Sequence, residues 1–153
     1  MKRIITILMV AAIMLTMTAC GAGGKQPNTS DVMKKITSET KLPEMAEVTK
    51  ENLSIYLDLD TKKIDQLSYS VASSGVDGEE VFISKMASGT DMNAIKTKLE
   101  ARRDAQSELF SSYNPEAAAM IKKAAIEIKG DYAFYAVTSD STKAKKVFLD
   151  SFK

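Results

Sequence analysis

Two pairs of neighbouring β-prone segments constrain the fold of this 153-residue chain more than any other feature. In the first pair, residues 67–72 alternate large apolar with small side chains, and "SSGVDGEE" leads from them into the run 81–86. In the second pair, residues 126–128 alternate isoleucine with a charged residue, and a turn at Gly130 leads into 132–137. Strands joined by short turns pair antiparallel. The pattern therefore predicts an antiparallel sheet of about four strands in two hairpins.

Two helical patterns separate these hairpins. The longer one follows a cap at Thr90 or Asp91 and repeats apolar residues at spacings of three and four as far as about Ser112. Asn114 followed by Pro115 is typical of a helix N-cap with proline in the first turn, so a second helix is expected to begin there.

The remaining helices are predicted at the two ends of the domain. Ser30 or Asp31 can cap a short N-terminal helix, and another short helix is expected to begin near Thr49. Asp140 or Ser141 can cap the last helix. The predicted order is β-β-α-α-β-β-α, preceded by short N-terminal helices. This order indicates an α+β fold with the helices packed on one face of the sheet.

The N-terminus has the layout of a secretory signal. Lys2 and Arg3 precede the run Ile4–Met17, which contains only apolar residues and two threonines and is shorter than the roughly 20 apolar residues of a membrane-spanning helix. The sequence from Met17 to Cys20 resembles the bacterial lipobox, in which the signal is cut before a cysteine that carries diacylglycerol. Residues 1–19 are therefore expected to be a lipoprotein signal peptide and Cys20 the lipidation site.

Cys20 is the single cysteine of the chain, so no internal disulfide can form and stability must come from a packed core. The glycine-rich segment after it predicts a flexible tether over residues 20–29, and a single α+β domain is expected over residues 30–153. A diacylglyceryl group supplies the two acyl chains that stable anchoring requires. The expected partner is the cell membrane, contacted through the lipid at Cys20 on its extracytoplasmic face.

The charge balance offers no basis for nucleic-acid binding. Without Lys2 and Arg3, the chain has 19 basic and 20 acidic side chains, and its lysine pairs are scattered along the sequence. Binding a polyanion such as DNA usually requires a clustered basic face. No nucleic-acid partner is expected, and an envelope protein, peptide or polymer remains a possible partner.

Three sequence blocks carry a resemblance to a known family: "EEVFISKM", "ARRDAQSELFSSYNPEA" and "IKGDYAFYAVTSD". The chain resembles uncharacterised lipoproteins of Gram-positive bacteria, chiefly Clostridia, that share one domain of unknown function. The resemblance covers about residues 31–153. It implies an extracellular location and the extent of the domain, and it brings no activity, cofactor or ligand with it.

The residue types present exclude several kinds of chemistry. The chain has no histidine, and its one cysteine is assigned to lipid, so neither a Cys/His nucleophile pair nor a thiolate zinc site is expected. "LDLDTKKID" does not match a calcium loop, because Lys63 stands where glycine is required and Tyr69 where glutamate is required. No phosphate-binding glycine motif occurs. No catalytic residue, metal or cofactor is predicted.

One candidate site remains, on the long helix. Three side chains stand at helical spacing there: one of the adjacent arginines Arg102 and Arg103, then Gln106, then Tyr113. Together they could form a patch that recognises a carboxylate, a glycan or a partner's backbone. The alternative is that these residues fasten the helix to the sheet or to the following turn, with Phe110 packed beneath them. The expected function is a non-enzymatic binding module of unknown ligand. An extracytoplasmic enzyme using arginine, tyrosine and carboxylate chemistry is the alternative function.

Overall fold

A computed structural model gives the structure of residues 25–153. Two short 3-10 turns accompany the helices and strands, and the elements in chain order are α1 (Thr29–Glu39), β1 (Met45–Glu47), the turns Leu53–Ile55 and Thr61–Lys63, β2 (Ile64–Ala72), β3 (Glu80–Met86), α2 (Met92–Ser111), α3 (Pro115–Lys122), β4 (Ala125–Lys129), β5 (Tyr132–Val137) and α4 (Ser141–Asp150). The predicted signal peptide (1–19) and Cys20 lie outside the described residues.

The strands form one antiparallel sheet in the order β1-β2-β3-β5-β4. The two predicted hairpins are β2–β3 and β4–β5, and β3 pairs with β5 to join them. Tyr69, Phe82 and Tyr135 lie side by side in this register, one on each of the three central strands. The predicted α+β class with an antiparallel sheet is confirmed. The fifth strand, β1, was not predicted because its three residues are too few to show an alternation.

Helices cover both faces of the sheet, and this corrects the expectation that they pack on one face. On one face, α1 and α4 contribute Ile36 and Phe148 to a core with Ile83 and Phe134. On the other face, α2, α3 and the Leu53–Ile55 turn pack on a second core that includes Phe82. The physical reason lies in the central strands: all six residues of β5 are buried, so both of its faces need a cover.

Side-chain caps fix where the helices begin. Asp91 accepts hydrogen bonds from the backbone amides of the first turn of α2, and Asn114 does the same for α3, which has Pro115 in its first turn. Asp140 caps α4. These three agree with the predicted starts. The cap of α1 is Asn28, two residues before the first predicted candidate.

The described part of the predicted tether contacts the domain. The Pro27 carbonyl accepts a hydrogen bond from the Tyr132 hydroxyl at 2.9 Å, and the Gln26 side chain accepts one from Lys85. Thr29 is buried at the start of α1. Within residues 25–153, no helix has both the length and the hydrophobicity that crossing a bilayer requires.

Candidate functional site

Three of the four candidate residues line a groove: Arg102 and Gln106 lie on one face of α2, and Tyr113 stands two residues after its end. Arg102, Gln106 and Tyr113 are four and seven residues apart, a spacing that places side chains on the same side of a helix. The opposite wall is the loop from Ser73 to Glu79, between β2 and β3. The groove has a volume of about 260 Å³. We call it the α2 groove.

A buried ion pair closes the floor of the α2 groove. The Arg102 Nε atom donates to both carboxylate oxygens of Glu80, at 3.2 and 3.3 Å, and its Nη2 atom donates to Oε2 at 3.2 Å. The side chain of Glu80 is 5% exposed and that of Arg102 is 15% exposed. Charge-assisted contacts of this kind are strong because little solvent screens them. The pair fastens α2 to the first residue of β3.

Two tyrosines complete this cluster. The Tyr69 hydroxyl donates a hydrogen bond to Oε1 of Glu80, and the Arg102 guanidinium lies 5.5 Å from the centre of the Tyr56 ring. Tyr56 and Tyr69 also meet edge to face, with ring centres 5.6 Å apart. We call Tyr56, Tyr69, Glu80 and Arg102 the Arg102 cluster.

The protonation states in the cluster follow from burial and charge. Burial raises the pKa of the Tyr69 phenol, and the neighbouring Glu80 carboxylate raises it further, so Tyr69 stays neutral. Burial opposes the charge on Arg102, but the facing Glu80 carboxylate outweighs it and holds the pKa of Arg102 above its ordinary value. Tyr69 and Arg102 therefore both keep their protons.

Arg103 does not belong to the α2 groove. It points to a different side of α2, where its Nε atom donates to Asp104 at 2.8 Å. The sequence left open which of the two adjacent arginines belongs to the candidate patch. The structure brings Arg102 into a buried cluster with a partner from the sheet, and it leaves Arg103 with a sequence neighbour on the surface.

The far end of the α2 groove is held by contacts between the β2–β3 loop and the end of α2. The Asn114 side-chain amide donates to the Val76 carbonyl at 2.8 Å, and the Tyr113 hydroxyl donates to the Gly75 carbonyl at 3.4 Å. Gly78 passes so close to α3 that a Cβ atom there would lie 3.0 Å from Ile121 Cδ1. These contacts make the loop a fixed wall of the groove.

Large apolar side chains are exposed at this end of the molecule. Val76 on the loop is 58% exposed, Leu109 on α2 is 54% exposed, and Tyr113, two residues after the end of α2, is 49% exposed. Leu109 and Tyr113 are one helical turn apart, and Tyr113 contacts the loop beside Val76. We call these three residues the apolar rim. Isolated apolar residues are common on protein surfaces, but several large ones at the edge of a groove are typical of a binding surface.

The sequence did not identify Glu80 or Tyr69 as members of the site. Within its strand, Glu80 has the same parity as Phe82 and Met86, and this spacing places it on the face that α2 covers. Tyr135, from the next strand, adds a further polar group to the same core. Among the described residues its buried hydroxyl has no hydrogen-bond partner, and burial raises its pKa.

The acidic segment around Asp58 has structural roles. Asp58 pairs with Lys98 of α2 at 2.7 Å, and Asp60 caps the Thr61–Lys63 turn. Within residues 25–153, no three metal-ligating side chains come close enough together to hold an ion.

Comparison with known proteins gives a family. No curated protein and no solved structure is significantly similar to this chain. The model of one family, DUF4358, a domain of unknown function, matches residues 38–138, which include all five strands of the sheet and the complete α2 groove. This match covers more than half of the sequence, and the chain therefore belongs to the DUF4358 family.

Proposed function

We propose that this protein is a lipoprotein, anchored through Cys20 to the extracytoplasmic face of the cell membrane, and that it binds a protein or peptide without catalysing a reaction on it. The binding surface is the α2 groove with its apolar rim. The lipid anchor and the binding surface are independent parts of this proposal, and different observations support them.

The lipobox-like sequence from Met17 to Cys20 supports the anchor. It follows a basic and then an apolar segment in the order that a lipoprotein signal requires, and the described domain begins within ten residues of it. The resemblance to Gram-positive lipoproteins supports the same location. Two acyl chains on one cysteine are sufficient for stable membrane attachment.

The apolar rim is the observation that carries the binding proposal. Val76, Leu109 and Tyr113 are large and exposed, Leu109 and Tyr113 line the groove, and Val76 follows Gly75, whose carbonyl Tyr113 contacts. The Asn114 side chain holds the loop at Val76 in place. A fixed surface loses little conformational entropy on binding, and aromatic side chains such as Tyr113 are enriched at protein interfaces. A partner that covers the rim would remove this apolar area from water.

The alternative, an enzyme that uses arginine, tyrosine and carboxylate groups, has weaker support. General acid–base catalysis requires a group whose proton can be transferred near the working pH. In the Arg102 cluster, Glu80 accepts from both Arg102 and Tyr69, and the pKa values of both donors are raised. The groups of the cluster therefore satisfy one another, as expected for a structural fastening of α2.

The anchor can be tested with the full chain in a bacterium that processes lipoproteins. We expect the intact mass of the wild-type protein to show loss of residues 1–19 and addition of a diacylglyceryl group, and the protein should partition into detergent. The Cys20→Ser variant should keep its leader and lack the lipid. An unmodified thiol or an intact leader on the wild-type protein would refute the anchor.

The binding surface can be tested by photo-crosslinking in living cells. A photo-reactive amino acid at Leu109 is expected to give one discrete protein adduct, and the same residue at Ala101, exposed on the same helix, provides the matched control. The Val76→Asp variant should remove the Leu109 adduct while leaving the fold intact. Equal adducts from both positions, or an adduct that Val76→Asp does not change, would contradict a partner on the apolar rim.

A further inference from the structure

The charges of this protein are distributed unevenly between its two helical layers. We call α1 and α4, with the residues that immediately flank them, the α1/α4 layer. Residues 25–41 and 140–153 contain eight lysines and four carboxylates, a side-chain net charge of +4. Residues 42–139 contain 11 basic and 16 acidic side chains, a net charge of −5. The described chain is nearly neutral, yet one layer is clearly positive and the rest is negative.

The two segments of the positive layer are adjacent in space. α1 and α4 share the core that contains Ile36 and Phe148. A groove of about 300 Å³ runs between the helices, and its charged lining comprises three lysines and two carboxylates: Lys35, Glu39, Lys143, Lys146 and Asp150. Sequence segments more than 100 residues apart therefore contribute to one basic surface.

Ion pairs neutralise only part of this surface. Asp150 accepts from Lys146 at 2.8 Å and also contacts Lys153, and Lys145 pairs with Glu127. The remaining acidic groups of the layer are Asp31, which lies 3.9 Å from Lys34, and the exposed Glu39 and Asp140. Among the described residues, Lys35 and Lys143 are exposed and make no ion pair.

The chain leaves the domain on this same side. Lys25 and Pro27 line a hollow together with Lys34 and Lys35 of α1, so the N-terminal end of the described chain lies beside the basic surface. Only five peptide units separate Lys25 from Cys20. Even a fully extended chain of that length spans at most about 18 Å. A lipid on Cys20 therefore holds Lys25, and with it the adjacent edge of the α1/α4 layer, within about two Debye lengths of the bilayer surface.

From the charge and the short tether together we infer that the α1/α4 layer is a docking surface for anionic phospholipid headgroups, so that the domain lies on the membrane with this layer facing it. The inference rests on the proposed anchor, which supplies the proximity. Basic residues near an anionic surface each contribute attraction worth about a fivefold change in partitioning, and this attraction weakens with salt.

Lysine labelling tests this orientation. The full chain is expressed in a bacterium that processes lipoproteins, and the protein is extracted from its membranes. The protein is reconstituted into vesicles of phosphatidylcholine alone, or of phosphatidylcholine with about 30% phosphatidylglycerol. The anionic lipid gives the second kind of vesicle a strong negative surface potential. We expect an amine-reactive reagent to modify Lys35 and Lys143 at least about fivefold more slowly in the anionic vesicles. Lys96 of α2 and Lys122, the last residue of α3, are exposed on the helices that cover the other face, and they should be modified at equal rates in both.

Two matched variants distinguish docking through the α1/α4 layer from an effect of the protein's net charge. The triple variant Lys34→Gln, Lys35→Gln, Lys143→Gln should expose the remaining lysines of the layer to the reagent in anionic vesicles, and 0.5 M salt should have the same effect. The control triple variant, Lys62→Gln, Lys96→Gln, Lys122→Gln, removes the same charge from exposed sites outside the layer and should leave the protection unchanged. Circular dichroism of both variants checks that they are folded.

The intact mass of each sample shows separately whether Cys20 carries lipid. A lipidated protein whose Lys35 and Lys143 react equally in both vesicle types would overturn the docking surface and leave the anchor standing. Loss of protection in the control triple variant would also overturn it, because the effect would then follow net charge alone. An unlipidated protein would overturn the anchor and the docking surface together.

Discussion

The Arg102→Met substitution tests the central claim about the Arg102 cluster. Methionine keeps the unbranched apolar part of the side chain but removes the guanidinium donors that face Glu80, and the carboxylate of Glu80 then stays buried with Tyr69 as its remaining donor. Breaking a buried pair by removing one partner costs about 3 to 5 kcal/mol. A domain has a total stability of about 5 to 15 kcal/mol, so the expected loss is a large share of it.

The assay is urea unfolding followed by circular dichroism, because the chain has no tryptophan to report by fluorescence. Arg103→Met is the matched control: it makes the same chemical change at the adjacent residue, whose partner Asp104 lies on the surface. We expect this control to change the free energy of unfolding by about 1 kcal/mol or less.

The reverse substitution and the double variant show whether the energy belongs to the pair. Glu80→Gln should cost less than Arg102→Met, because Arg102 is more exposed and keeps its contact with the Tyr56 ring, and because glutamine still accepts from Tyr69. The double variant Arg102→Met, Glu80→Gln should be more stable than Arg102→Met alone. Equal losses from Arg102→Met and Arg103→Met, or a double variant with the summed cost of the singles, would refute the reasoning.

Three further predictions concern single residues. Gly130→Ala should cost about 1 to 2 kcal/mol in thermal or urea unfolding, because Gly130 has a φ of +57° in the β4–β5 turn, and Gly130→Asn should cost less. Tyr135→Phe should raise the free energy of unfolding by up to about 1 kcal/mol, since it removes a buried hydroxyl without a partner, and a loss of stability would contradict this. The Tyr69 pKa is higher in the folded than in the unfolded state, so its stabilisation is complete below about pH 10 and is lost as the pH rises further. In the Tyr69→Phe variant, the free energy of unfolding should therefore fall less steeply above about pH 10 than in the wild-type protein, which is measured as the urea midpoint at a series of pH values.

The hairpins and the long helix were predictable because their signals are local. Alternation along 67–72, the turn at Gly130 and the Asn114 cap each depend on residues within a few positions of one another. The two-sided cover of the sheet was not predictable in the same way. The run "YAFYAV" is apolar on both faces of its strand. It indicates a sheet that is covered on both faces only once β5 is known to be a central strand.

The candidate patch shows where local signals end. Helical spacing groups Arg102, Gln106 and Tyr113, which line the α2 groove, but adjacent residues on a helix differ in direction by about 100° and the sequence does not say which direction faces the sheet. The partner that decides between Arg102 and Arg103 is Glu80, 22 residues away in a different element. Long-range pairs of this kind arise from the packing of α2 on β3, which no short window of sequence contains.

The two proposals place the anchor and the binding surface on opposite faces of one sheet. The α1/α4 layer packs against the face that contains Ile83 and Phe134, whereas α2 and its groove pack against the face that contains Phe82 and Tyr135. If the basic layer lies on the membrane, the sheet separates it from the groove, and the apolar rim points away from the lipid. The α2 groove then stays accessible to a partner even with a short tether, because the α1/α4 layer faces the membrane and the groove lies on the opposite face of the sheet. Lengthening the tether with glycine and serine between Cys20 and Lys25 should therefore weaken the protection of Lys35 by the vesicle and leave crosslinking from Leu109 unchanged.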